Sequence, residues 1–209
     1  MIKILYEDTD IIFCIKPVGM SSETDLPQAL GSQTGSDVYA VHRLDTPVGG
    51  VMVYAKNSTT ASKLSKKIAE NSDFEKTYLA VCEGEFENPL GDMEDLLFKD
   101  SRKNKSFVVK KERKGVKSAR LSYRVIATAD YKDKKCSLVA VALYTGRSHQ
   151  IRVQFASRKH PLLGDGKYGS KINCPIGLFS HKISTCGIEQ SAVPEDVMPW
   201  SVFDLNTLK

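Results

Sequence analysis

Apolar residues open the chain in short runs. Residues 2–6 and 11–15 are β-prone, and Glu7-Asp8-Thr9-Asp10 between them is turn chemistry, so the two predict a hairpin. Pro17 and Gly19 end its second strand. Residues 20–37, rich in Ser, Thr, Gly and Asp, predict a mobile loop. Residues 51–55 read as a strand entered through Gly49-Gly50. Ser58 or Thr59 is placed to cap a helix running to Glu70, with Ala61, Leu64, Ile68 and Ala69 on its apolar face. Residues 78–82 read as a strand ending at Gly84. Two more strands, 121–127 and 137–144, flank a polar turn near Asp133-Lys134. Thr145-Gly146 then opens a helix over about 147–157, anchored by Ile151 and Phe155. Strands outnumber helices and no repeat or linker divides the 209 residues. The pattern predicts one α+β domain with a mostly antiparallel sheet.

Composition narrows the class. Apolar residues make up 41% and charged residues 26%, which suits a soluble globular chain and excludes overall disorder. No apolar run is long enough to span a bilayer, and acidic residues follow the first few positions at once, unlike a signal peptide. A cytoplasmic protein without membrane contact is expected. Cys14, Cys82, Cys136, Cys174 and Cys186 are widely spaced with no Cys-x-x-Cys, and read as buried thiols. The four histidines form no metal-spaced pair, so no metal is expected.

Charge is concentrated. Residues 99–120 hold ten Lys or Arg against Asp100 and Glu112, a local +8. The chain totals +5, so the remainder is net −3. Such a segment suits polyanion binding, although a solvated lysine-rich loop has the same composition.

Three segments concentrate polar chemistry between apolar runs. His42-Arg43-Leu44-Asp45 sets an Arg and an Asp two apart in a loop, which alone reads as a surface ion pair. Lys76-Thr77-Tyr78 begins a strand bearing one Tyr. Gly146-Arg147-Ser148-His149-Gln150-Ile151-Arg152 lies at a helix start, where the dipole favours anions. Ser148 and His149 are adjacent and point about 100° apart, which disfavours a hydrolytic pair.

Taken in order, these segments resemble the motifs of the RluA-type RNA pseudouridine synthases. Further similarity lies at Ile15-Lys16-Pro17-Val18-Gly19-Met20, at residues 117–125 and at His160-Pro161-Leu162-Leu163-Gly164-Asp165. The resemblance covers roughly residues 2–183. One departure falls after the Asp: Val48-Gly49-Gly50 stands where the family has Thr-Ser-Gly, removing side chains that would brace the loop. The family's frequent N-terminal S4-type RNA-binding domain is expected to be absent.

The resemblance implies a mixed, mainly antiparallel β-sheet flanked by helices and loops, with a central catalytic cleft. It implies Asp45, Tyr78 and Arg152 as catalytic residues, and isomerisation of uridine to pseudouridine in structured RNA, either rRNA or tRNA. A carboxylate serves as nucleophile or base in such a step and must be ionised, which a neighbouring Arg favours. The reaction exchanges no electrons or groups, so no cofactor is expected. Arg43, Arg147, His149, Gln150, Lys103 and Lys105 are the expected RNA contacts, and a monomer is expected. The alternative is a catalytically inactive RNA-binding or RNA-chaperone protein of the same fold.

Overall fold

Short apolar runs become strands where both faces can be covered, and the computed structural model, which describes residues 1–131 and 134–208, shows how. The turn expected near Asp133-Lys134 lies in part outside these residues. The chain divides into two compact units, Met1–Thr77 with Phe179–Pro194, and Tyr78–Leu178 with Glu195–Leu208.

In the first unit, β1 (Ile4–Glu7) and β2 (Ile11–Lys16) form the expected hairpin. The Asp8 carboxylate accepts from the Asp10 and Ile11 N–H groups at 2.7 and 2.8 Å and sets the turn. Next in space comes β4 (Gly49–Ala55), antiparallel to β2, and then β10 (Leu178–Thr185), parallel to β4. β3 (Tyr39–Ala40) and β11 (Ile188–Ser191) pair at β4 and β10. Every residue of β4 is buried, as expected of a strand covered on both faces. Ile11, Phe13, Val51, Val53 and Ala55 join Leu64 of α2 (Ser58–Glu70) in one core cluster. The α2 cap is Asn57, whose side chain accepts from the Thr60 N–H at 2.8 Å, not Ser58 or Thr59.

The loop expected over 20–37 is largely a helix, α1 (Asp25–Thr34). Leu26 and Leu30, four apart, are fully buried and drive it, while Pro27 falls in the first turn, where no intrahelical donor is lost. Gly35 ends α1 in the left-handed conformation.

β5 (Phe74–Glu83) starts in the first unit and continues into the second. The second unit orders its strands as β5, β9 (Lys134–Leu143), β8 (Val116–Tyr131), β6 (Leu90–Asp100) and β7 (Lys105–Val109). The pairings of β8 with β9, β6 with β8 and β6 with β7 are all antiparallel. Sequence patterning does not reveal β6 and β7. The β6–β7 turn is set by Asp100, which accepts from the Arg102 and Lys103 N–H groups at 3.0 and 3.2 Å. α3 (Gln150–Ser157) buries Gln150 through Phe155 and packs Val153 with Leu97, Ala119 and Tyr168. Cys14, Cys82 and Cys136 are buried as expected, but Cys186 is exposed. Among the described residues no helix is long and apolar enough to cross a membrane.

Gly50 lets β10 run close beside β4. Its φ is +125°, and an added Cβ would stand 2.3 Å from the Ser180 carbonyl oxygen. Gly187, with φ +74°, has open space where a Cβ would go. Gly50→Ala is expected to cost about 3 kcal/mol or more by urea unfolding, and Gly187→Ala only about 1 kcal/mol. The difference isolates the strand contact from the backbone conformation.

Candidate active site

In the first unit, Asp45 is half-buried in the loop between β3 and β4, and four sets of hydrogen bonds hold that loop. The Val48 N–H donates to the Asp45 carbonyl at 2.9 Å, closing a turn. The Gly19 N–H donates to the Thr46 carbonyl at 2.8 Å. The Ser22 hydroxyl both accepts from the Leu44 N–H (3.1 Å) and donates to the Leu44 carbonyl (3.0 Å). The fourth support is Lys16, fully buried at the end of β2. Its ammonium donates to the carbonyls of Pro17 (2.9 Å), Met20 (2.8 Å) and Thr46 (3.2 Å). Burial pushes the Lys16 pKa down to about 8, against the pull of the Asp45 and Asp25 carboxylates.

These bonds hold the loop although Val48 and Gly49 offer no side-chain donor or acceptor. Val48 is buried, and a Cβ at Gly49 would stand 3.2 Å from the Lys16 carbonyl oxygen and from the Val18 side chain. Segment 16–20 thus packs tightly on the loop. In the sequence Lys16 stands out only as part of a motif. Its function, joining three carbonyls from two stretches of chain, depends on the fold.

His42 is structural. Its Nε2 accepts from the Val53 N–H of β4 at 3.1 Å, which places the proton on Nδ1, and its ring meets Phe74 edge-on at 5.5 Å. Burial, with the Lys76 charge nearby, pushes its pKa down to about 3. Arg43 points to solvent and pairs with Glu23 at 3.0 Å, both side chains more than half exposed.

In the second unit, Tyr78 is buried on β5. The start of α3 is fixed by Gln150, whose Oε1 accepts from the Thr145 hydroxyl (2.8 Å) and the Arg147 N–H (3.0 Å), while its Nε2 donates to the Arg120 carbonyl (3.1 Å). Gln150 therefore shapes the turn that presents Arg147. Arg147 Nε donates to the Ser118 carbonyl at 2.8 Å. His149 adopts the left-handed conformation at the N-cap of α3, φ 54°, and its Nδ1 lies 2.9 Å from the Tyr168 hydroxyl.

Arg152 is buried and makes a bidentate pair with Asp165, Nε to Oδ2 at 2.7 Å and Nη2 to Oδ1 at 2.8 Å. In the sequence Asp165 stands only at the end of a similar segment, with nothing to mark this role. Nine of the ten basic residues of the 99–120 segment are exposed, on the β6–β7 hairpin, the connection into β8 and the first residues of β8. Lys103 is exposed in the hairpin turn, whereas Lys105 is half-buried with its ammonium 5.1 Å from the Tyr168 ring centre.

Residues 10–157 match the family model described as RNA pseudouridylate synthase. The chain belongs to this family. It is 34% identical over 185 residues to an uncharacterized RNA pseudouridine synthase of Aquifex aeolicus, covering 81% of this chain and 57% of that protein. It therefore spans little more than half the length of that relative. It is 32% identical over 189 residues to the tRNA pseudouridine synthase C of Vibrio cholerae, covering 83% of this chain and 76% of the relative. Among solved structures, Human RNA Pseudouridylate Synthase Domain Containing 1 has the same fold, with a TM-score of 0.80 at 21% identity, over 95% of this chain and 85% of that one. The mixed, mainly antiparallel architecture expected from the motifs is the one found.

The His42 environment sets an acid sensitivity. Below pH 6.5 the unfolded chain takes up a proton that the folded chain refuses until about pH 3, so stability falls as pH drops through that window. At pH 5 this single group is expected to remove about 2 kcal/mol of unfolding free energy relative to pH 7 or above. His42→Gln keeps an acceptor for Val53 without titrating. Urea unfolding of both proteins at pH 7 and pH 5 should show a smaller acid loss in the variant by that amount.

Proposed function

We propose that the protein converts specific uridines in structured RNA, tRNA or rRNA, to pseudouridine, acting as a cytoplasmic monomer. The observation that carries this reading is Asp45, a carboxylate of the matching motif on a loop pinned by Lys16, Gly19 and Ser22. Breaking the C1′–N1 bond, turning the uracil and joining C5 to C1′ needs a carboxylate held still against the sugar or base. In this reading Asp45 is that group, and Arg152 is the fixed cation that keeps it ionised. Tyr78 stacks on the flipped-out base and lends its hydroxyl to proton removal from C5. Arg43, exposed two residues before Asp45, fills the gap the base leaves. Arg147, His149 and Gln150 order the strand entering the site, Gln150 through the turn it holds. Lys103, Lys105 and their basic neighbours take the phosphates.

Asp45→Asn is expected to abolish tritium release from 5-tritiated uridine RNA while RNA affinity stays within about threefold, because phosphate contacts dominate affinity. Tyr78→Phe keeps the stacking face and should slow single-turnover conversion strongly at similar affinity. Turnover by Asp45→Asn at the unmutated rate would overturn the assignment. No release from the unmutated protein, with RNA still bound, would favour the inactive RNA-binding alternative.

The basic segment has its own test. Replacing Lys103, Lys105, Lys110 and Lys111 with Glu should weaken binding of many RNAs about equally. It should also flatten log affinity against log salt by roughly 0.7–0.9 for each phosphate no longer neutralised. An unaltered slope would make the segment a solvated surface.

A further inference from the structure

Arg152 is held by more than its own helix. The Asp165 carboxylate grips one edge of its guanidinium through two parallel bonds, with side-chain exposures of 7% for Arg152 and 1% for Asp165. The Tyr168 ring lies under the same group, 5.2 Å from Cζ to ring centre. Tyr168 is itself fixed at its hydroxyl, which accepts from the Ser106 N–H of β7 at 2.8 Å and lies 2.9 Å from His149 Nδ1. Lys105 on the same strand contacts the Tyr168 ring, and the Ser106 hydroxyl donates to the Ser148 carbonyl at 2.6 Å. The Asp165 carbonyl accepts from the N–H groups of Tyr168 and Ser170 at 3.0 and 3.1 Å, which ties both ends of the clamp together. Gly164 lets the chain enter this turn. An added Cβ there would stand 2.4 Å from the carbonyl oxygens of Cys174 and Pro175.

We propose that Asp165 and Tyr168 are positioning residues that lock the Arg152 guanidinium in one orientation, and that Tyr168 fastens this clamp to the basic hairpin β6–β7. The proposal rests on the reading of Arg152 as part of the active site. A long, flexible cation that must meet a reacting carboxylate in one geometry gains from being frozen beforehand. A bidentate carboxylate fixes the plane of the guanidinium, and an aromatic face restrains it from the side. Stability alone explains such a pair poorly, because well-packed apolar residues commonly serve as well at a buried site. The hairpin link gives the basic segment a second role. Phosphate binding on β7 acts on the strand whose Ser106 and Lys105 hold the ring beneath Arg152.

The test uses the intact chain and two independent readouts. In nitrogen-15 NMR spectra the Arg152 Nε–H, assigned with Arg152→Lys, is expected to exchange slowly with water and to become fast in Asp165→Asn. In single-turnover tritium release, Asp165→Asn is expected to lose about a hundredfold in rate with RNA affinity within about twofold, the cost of a misplaced group. Placed on an Arg152→Lys background, the same substitution should cost less than about threefold more, since residues acting as one unit are not additive. Should Asp165→Asn fail to fold, Tyr168→Leu replaces it and is expected to speed Nε–H exchange and to slow turnover at least about tenfold. Slow Nε–H exchange that survives the substitution, or rate losses that multiply in the double variant, would overturn the clamp. An unmutated protein that releases no tritium would overturn the proposed reaction instead, and the exchange measurement would still decide the clamp.

Discussion

Burying an ammonium costs several kcal/mol unless its donors are used, and the Asp45 loop depends on how Lys16 meets that demand. The three carbonyls it joins belong to the chain leaving β2 and to the residue following Asp45. Those of Pro17 and Met20 lie outside every strand and helix, and that of Thr46 is shared with the Gly19 N–H. The cation needs acceptors and these stretches need a donor, so each side supports the other. The pull of Asp45 and Asp25 on Lys16 adds to this without fully offsetting the effect of burial. The backbone near Asp45 is thus held by one cation, the Ser22 hydroxyl, the Gly19 and Val48 N–H groups and tight packing at Gly49.

The second unit solves a similar problem with opposite chemistry. Arg152 lies on a helix buried along most of its length, and Asp165 supplies the counter-charge from a turn thirteen positions later. Gln150 and Gln154 are buried beside it on α3. Gln150 serves the preceding turn, and Gln154 donates to the Met93 carbonyl at 3.3 Å and to Asp95 at 2.7 Å on β6. The polar start of α3 is therefore an interior element from Gln150 onward. Its polar side chains hold backbone and strands in place and leave few groups turned outward.

The basic hairpin shows how charge and topology cooperate. Ten cations within twenty-two residues repel one another, and antiparallel pairing of β6 with both β7 and β8 holds their backbone in order despite this. Aromatic rings take up part of the charge: Arg113 lies over Phe98 at 4.6 Å and Arg120 over the exposed Tyr144 at 5.1 Å.

Local pattern alone located β1, β2, β4, α2, β5, β8, β9 and α3, the strands as short apolar, β-prone runs bounded by turn residues and the helices by apolar positions three and four apart. It failed where an inward position is polar. Asp95 of β6 lies between the inward Met93 and Leu97 and is paired with Arg158 at 2.9 Å, which breaks the apolar alternation. Ser106, the buried position of β7, does the same. α1 was hidden by Ser, Gly and Thr around only two buried leucines. The candidate residues were legible as motifs, since Asp45, Tyr78 and Arg152 each stand in a short recognisable segment. What holds them was not. The acceptors of Lys16, the binding of His42 to β4, the work of Gln150 and the pairing of Arg152 with Asp165 all join positions apart in sequence. A polar group shows in the sequence that it needs a partner, but which partner it meets is settled only when folding brings acceptor and donor within hydrogen-bond reach.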